Sequence, residues 1–120
     1  MPKLDMDGPF DLTDGVINKK VNGDAIGNFA LGFVNKKGNF VVKMIGRADS
    51  DLQSEIRKAR RKYAGGVLSR MLGRGTALDK FKYSLADTAD AAYQVQRRAF
   101  EDFGGSKKLL NEAAPEPPGK

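Results

Sequence analysis

Residues 27–52 read GNFALGFVNKKGNFVVKMIGRADSDL, and this stretch predicts two strands joined by a tight turn. Phe29–Val34 and Asn39–Ile45 are rich in valine and aromatic residues, which favour strands. Between them, Asn35–Gly38 is a turn sequence whose glycine can adopt a positive φ. Gly32 lies inside the first strand and indicates a bulge or a close approach of two backbones.

A helix is predicted directly after this hairpin. Asp49 and Ser50 can accept hydrogen bonds from the free amides of a helix start, where negative charge is also favourable. The apolar residues that follow recur at helical spacing and form one stripe: Leu52, Ile56, Ala59 and Tyr63. Gly65 and Gly66 then end the helix.

The remaining elements complete an α+β pattern. Thr13 can cap a short helix that runs to about Lys20, and the alternation in Phe81–Leu85 predicts a third strand. Asp87 or Thr88 can cap a helix that runs to Phe103. The apolar stripe of that helix is predicted to be Ala92, Val95, Ala99 and Phe103. We therefore expect a small three-stranded antiparallel sheet flanked by helices.

The domain organisation follows from the same pattern. Residues 1–23 are expected to form an N-terminal segment with a short helix, and Gly8-Pro9 marks its first ten residues as irregular. Residues 24–113 form the predicted domain, and the proline-rich residues 114–120 are expected to be a disordered tail. No apolar run is long enough to cross a bilayer and the first residues do not resemble a signal peptide, so a cytoplasmic protein is expected.

Composition restricts the chemistry available to this chain of 120 residues. It contains no histidine and no cysteine, which excludes imidazole bases, thiolate nucleophiles and Cys/His zinc sites. A metal ion would need oxygen ligands, as magnesium does.

The positive charge is concentrated in one part of the chain. The formal net charge is +6, and the window from Ile56 to Leu78 contains seven basic residues and no acidic one. These residues are Arg57, Lys58, Arg60, Arg61, Lys62, Arg70 and Arg74. A polyanionic partner is favoured by such a patch, although a solvated helix face is the simpler interpretation of a basic run.

Several segments together resemble a known family. From about Gly27 to Asn111, the order GNFALG, MIGRADSDL, FKYSL, ADAAYQVQRRAFEDFGG and LLN resembles a small bacterial and phage branch of the GIY-YIG nuclease superfamily. The resemblance implies a GIY-YIG-like fold in which two tyrosines on neighbouring strands face a helical arginine and a helical glutamate. It also implies metal-assisted cleavage of phosphodiesters by these groups.

The four family positions carry other residues in this chain. The two tyrosines fall at Phe29 and Met44, which have no hydroxyl group to exchange a proton. The glutamate falls at Gln96, whose neutral amide is a poorer magnesium ligand, and the arginine falls at Glu55, which reverses the charge. The resemblance therefore implies a degenerate member without a catalytic site. Arg47, next to the second signature, remains placed to contact a phosphate.

Three functions are compatible with these residues. The first is binding of nucleic acid, double-stranded DNA above all, without cleavage, through Arg47 and the seven basic residues named above; it needs no cofactor or metal. The second is a protein-interaction module of a phage or mobile element, in which the basic surface meets an acidic protein. The third is a magnesium-dependent endonuclease that uses displaced residues such as Glu55 or Arg47.

Overall fold

The structure is a computed structural model, and it describes residues 4–63, 78–109, 111 and 115–118. Within these residues the fold is α+β, as predicted, and the sheet is antiparallel throughout. Its strands are β1 (Asp7–Asp11), β2 (Gly27–Val34), β3 (Phe40–Ala48) and β4 (Lys80–Leu85). They are arranged in the order β1-β4-β2-β3, so β1 and β3 are the two edges of the sheet.

The described α-helices are α1 (Asp14–Lys20), α2 (Leu52–Tyr63) and α3 (Ala89–Asp102), and a 3-10 turn follows at Gly105–Lys107. Two of the predicted caps are confirmed. The Thr13 hydroxyl accepts a hydrogen bond from the Val16 amide, and the Thr88 hydroxyl accepts one from the Ala91 amide. None of the described helices has the length and apolar character needed to cross a membrane.

The prediction of three strands is wrong, because the sheet has four. Strand β1 was predicted to be irregular since Gly8-Pro9 usually interrupts regular structure. In the structure it pairs with β4 at the edge of the sheet, with an irregular register between Asp7 and Phe10. An edge position tolerates proline because only one side of the strand has to donate hydrogen bonds. The N-terminal segment thus contributes a strand to the sheet.

The predicted irregularity at Gly32 is confirmed. The pairing of β2 with β3 shifts between Leu31 and Gly32, as a β-bulge does. A β-carbon on Gly32 would overlap the carbonyl oxygen of Val41, so the backbones approach too closely here for any other residue.

Helices cover both faces of the sheet, and each face has its own apolar core. Helices α1 and α2 pack on one face, whose largest buried side chains include Ile17, Leu31, Ile56 and Phe81. Helix α3 packs on the other face, where its Ala99 and Phe100 cluster with Ala30 and Ile45 of the sheet and with Leu109. Alternation along the strands separates the cores, since successive side chains point to opposite faces.

The predicted apolar stripe of α2 is confirmed, whereas that of α3 is partly wrong. Leu52, Ile56, Ala59 and Tyr63 are all buried. In α3, Ala92 and Ala99 are buried as predicted, but Val95 is 43% exposed and Phe100 takes its place in the core. The alanine-rich sequence of α3 gives several similar stripes, and packing on the sheet selects among them.

Candidate functional site

The four positions that the resemblance selects meet in one shallow pocket of about 240 Å³. Phe29 of β2 and Met44 of β3 lie at its base, Glu55 reaches it from α2, and Gln96 reaches it from α3. Its other lining residues are Gly46, Arg47, Lys58, Ala59, Lys62 and Tyr63. Residues that are up to 67 positions apart in the sequence are therefore brought together at one place.

The base of this pocket is apolar and closely packed. Phe29 and Met44 are 2% and 9% exposed and belong to the core beneath α1 and α2. Gly46 lies opposite Phe29 in the β2–β3 pairing, and a β-carbon on Gly46 would overlap the Phe29 ring. The glycine thus leaves room for the ring, and neither Phe29 nor Met44 offers a group that transfers protons.

Arg47 of β3 is held by several partners within the chain. Its Nε donates to Asp49 Oδ1 at 2.8 Å, and its Nη1 donates to Gln96 Oε1 at 3.2 Å and to the Glu116 carbonyl oxygen at 2.7 Å. The guanidinium carbon also lies 5.4 Å from the centre of the Tyr93 ring. The Arg47 side chain is only 13% exposed, so the group predicted to contact phosphate is largely covered by its own chain.

A second pocket of about 400 Å³ adjoins the first, because Arg47, Glu55 and Gln96 line both. Its remaining lining residues are Asp49, Ser50, Pro115 and Glu116. We refer to the two pockets together as the groove. It lies at the β3 edge of the sheet, between α2 and α3.

The side chains of the basic residues of α2 point in different directions. Arg60 turns toward the N-terminal segment, where its Nε donates to the Leu12 carbonyl oxygen at 3.1 Å and its Nη1 lies 3.4 Å from Asp14 Oδ1. Those contacts attach α2 to the chain around α1, so Arg60 has a structural partner on the side away from the groove.

The other four cations of α2 lie on its outer side. Lys58 and Lys62 line the groove, and Lys58 Nζ lies 3.2 Å from Glu55 Oε2. Arg61 is exposed and Arg57 is half-buried, and no ion pair or hydrogen bond joins either side chain to another of the described residues. Arg70 and Arg74, which the sequence also predicts to bind nucleic acid, lie outside the described residues.

Side-chain amides close the β3 edge next to the groove. Asn111 accepts from the Ile45 amide at 3.0 Å and donates to the Ile45 carbonyl oxygen at 2.6 Å, as a neighbouring strand would. Gln96 Nε2 lies 3.4 Å from the same carbonyl oxygen, which orients Gln96 Oε1 toward Arg47. This arrangement was not predicted from the sequence, since amides give no local signal for partners 51 and 66 residues away.

Among the described residues, no group of three or more aspartate, glutamate, histidine or cysteine side chains is arranged to hold a metal ion. Comparison of the chain with family models, with curated proteins and with solved structures finds no match. The resemblance to GIY-YIG nucleases accordingly stays a prediction from the sequence.

Proposed function

We propose that this protein binds nucleic acid, with double-stranded DNA as the first candidate, and does not cleave it. The binding surface is the outer side of α2, formed by Arg57, Lys58, Arg61 and Lys62, which we call the basic face. The observation that carries the proposal is the arrangement of these cations in two rows with a spacing of four residues, of which the Arg57–Arg61 row has no partner among the described residues.

The helical geometry supports contact with a phosphate backbone. Residues four apart lie about 6 Å from each other along the helix surface, so each row presents two adjacent positive charges. Duplex DNA carries a dense line of negative charge, and cations that neutralise phosphates release bound counterions. Arg57 has the further advantage that binding breaks no ion pair to another described residue.

The residues of the groove support binding without cleavage. The groups that a hydrolytic site needs are a proton acceptor and an anionic metal ligand. Phe29, Met44 and Gln96 supply neither. Of the carboxylates in the groove, Glu55 is paired with Lys58 and Asp49 with Arg47, and among the described residues they form no group of three with Glu116 that could hold a metal ion. The proposal therefore requires no metal ion and no other cofactor.

The test is fluorescence anisotropy of a labelled DNA duplex titrated with the protein between about 50 and 200 mM salt, with magnesium present. The variant Arg57→Gln/Arg61→Gln removes two predicted phosphate contacts. The matched control Lys36→Gln/Lys37→Gln removes the same charge from the exposed β2–β3 turn. We expect the first variant to lower the slope of log affinity against log salt by about 1.8, and the control to change it much less.

Equal losses in the two variants would show that only net charge matters and would contradict a defined basic face. An absence of binding at the lowest salt would contradict the proposal and favour the acidic protein partner. Cleavage of the labelled duplex that depends on magnesium and is abolished by Glu55→Gln would instead establish the endonuclease alternative.

A further inference from the structure

Pro115 and Glu116 of the segment Pro115–Pro118 line the groove, and the Glu116 carbonyl oxygen contacts Arg47. We propose that this segment is an intramolecular competitor, which occupies the Arg47 side of the groove and has to leave before nucleic acid can reach that arginine. The inference rests on the proposed function, since it describes how access to the groove beside the basic face is controlled, and Lys58 and Lys62 belong to both surfaces.

The hydrogen bond between Glu116 and Arg47 resembles the one that a phosphate ligand would make. Glu116 presents its carbonyl oxygen to Arg47 Nη1 at 2.7 Å, at a nitrogen that also donates to Gln96. A phosphate oxygen is an alternative acceptor for the same donor, and its negative charge makes the hydrogen bond stronger than one to a neutral carbonyl. The covering segment thus uses the donor that a phosphate would use.

The segment also changes the charge of the groove. Its ionisable lining residues are Arg47, Lys58, Lys62, Asp49, Glu55 and Glu116, which are three cations and three carboxylates. With the segment in place, the formal charge of the groove is zero. When the segment leaves, the Glu116 carboxylate leaves with it and the formal charge becomes +1, which attracts a polyanion.

The composition of the segment suits reversible release. Its three prolines have no amide hydrogen to donate, and within the described parts of the chain its recorded hydrogen bond is the one from Arg47 to Glu116. A segment held by so few contacts exchanges readily between bound and released states. If it covers the groove about nine-tenths of the time, the apparent affinity for a ligand of the open groove falls about tenfold.

Removal of residues 115–120 tests the inference in the otherwise intact chain. These residues contain one glutamate and one lysine, so the truncated chain keeps the formal net charge of +6. In the anisotropy titration we expect the truncated chain to bind duplex DNA about tenfold more tightly. In an Arg47→Gln background, truncation is expected to have no more than the small effect expected of Glu116→Gln, because the donor for which the segment and the phosphate compete is absent.

The variant Glu116→Gln is the control for charge. It keeps the backbone carbonyl oxygen that Arg47 contacts, so we expect only a small gain in affinity compared with truncation. Far-UV circular dichroism checks that the Arg47→Gln chain is folded.

A second measurement reports release of the segment directly. The chain has no cysteine, so the substitutions Lys37→Cys and Pro118→Cys would introduce the only two sites for spin labels. We expect the distance between them to lengthen and broaden when duplex DNA saturates the protein.

Four results would overturn the inference. Equal affinities of the full and truncated chains, or a label distance unchanged at saturation, would remove the competitor and leave the proposed function intact. Weaker binding by the truncated chain would make the segment part of the binding surface. Absence of binding by both chains at low salt would remove the proposed function, and this inference with it.

Discussion

The two faces of the sheet are stabilised in different ways. Under α1 and α2 the apolar core is the larger one, and Phe29, Leu31 and Phe81 are almost completely buried. The side chains that bind main-chain oxygens on this face, Gln53, Arg60 and Tyr83, are only partly buried. Under α3 the apolar core is smaller, and side-chain amides bind main-chain groups: Asn28 Nδ2 donates to the Ala92 carbonyl oxygen at 2.8 Å, and Asn111 closes the edge at Ile45. The first face thus depends mainly on apolar burial, whereas the second combines a smaller core with the hydrogen bonds of the fully buried Asn28 and of Asn111.

The groove lies where the two faces meet, at the β3 edge, and has one wall from each. Its base of Phe29 and Met44 belongs to the apolar face, while Arg47 and Gln96 belong to the α3 side. The apolar base and the hydrogen-bonding wall of the groove therefore come from separate parts of the fold. Substitutions on the first face are therefore expected to lower stability by disturbing packing, and those on the α3 face by removing hydrogen bonds.

The largest effect is expected on the apolar face, from Gly46→Ala. The added methyl group would overlap the Phe29 ring, and overpacking of this kind costs about 1–3 kcal/mol of the free energy of unfolding. Urea unfolding of the single variants and of Gly46→Ala/Phe29→Leu would measure the coupling. We expect the smaller leucine to relieve much of the cost, and strictly additive effects would contradict the contact.

A smaller effect is expected on the α3 face, from Asn111→Ala. This change removes both hydrogen bonds to Ile45 and costs about 1–2 kcal/mol of the free energy of unfolding. In the control Asn111→Asp, the carboxylate still accepts from the Ile45 amide but cannot donate to the Ile45 carbonyl oxygen. Hydrogen exchange at the Ile45 amide should accelerate most in the alanine variant. Unchanged exchange there would show that the amide does not close the edge.

The sequence allowed most of the first face to be predicted and less of the second. The stripe from Leu52 to Tyr63 and the bulge at Gly32 come from local patterns, so they were foreseen. The choice between Val95 and Phe100 in α3 depends on the sheet below, and β1 depends on its edge position beside β4. Such features are set by tertiary contacts that local preferences do not encode.

The residues of the groove and the basic face were likewise predicted only in part. The resemblance to a family selected Phe29, Met44, Glu55 and Gln96, and the structure places all four around one pocket. The basic run of α2 was predicted as one surface, yet helical geometry turns Arg60 toward Leu12 and away from the other cations. The cover formed by Glu116 over Arg47 was not predicted, because the proline-rich composition of 114–120 indicated disorder.

The smallest effect is expected at a contact that belongs to neither face, the ion pair between Asp11 of β1 and Lys80 of β4. The hydrogen bond to Asp11 is the main reason that the pKa of Lys80 lies above its ordinary value of 10.5. Partial burial opposes this shift, and the charges of Asp11 and Asp79 add to it.

A pKa raised in the folded state means that the pair contributes stability below pH 10.5 and loses it as the pH rises through the folded-state pKa. Asp11→Asn should bring the pKa of Lys80, followed by NMR of its side chain, back toward 10.5. The variant should be slightly less stable than the parent chain at neutral pH, and this difference should vanish above the folded-state pKa. A difference that persists there would arise from packing of β1 and not from charge. The Asp11–Lys80 pair thus gives the stability contributed by one exposed contact. The stability changes of the Gly46 and Asn111 variants can be compared with it.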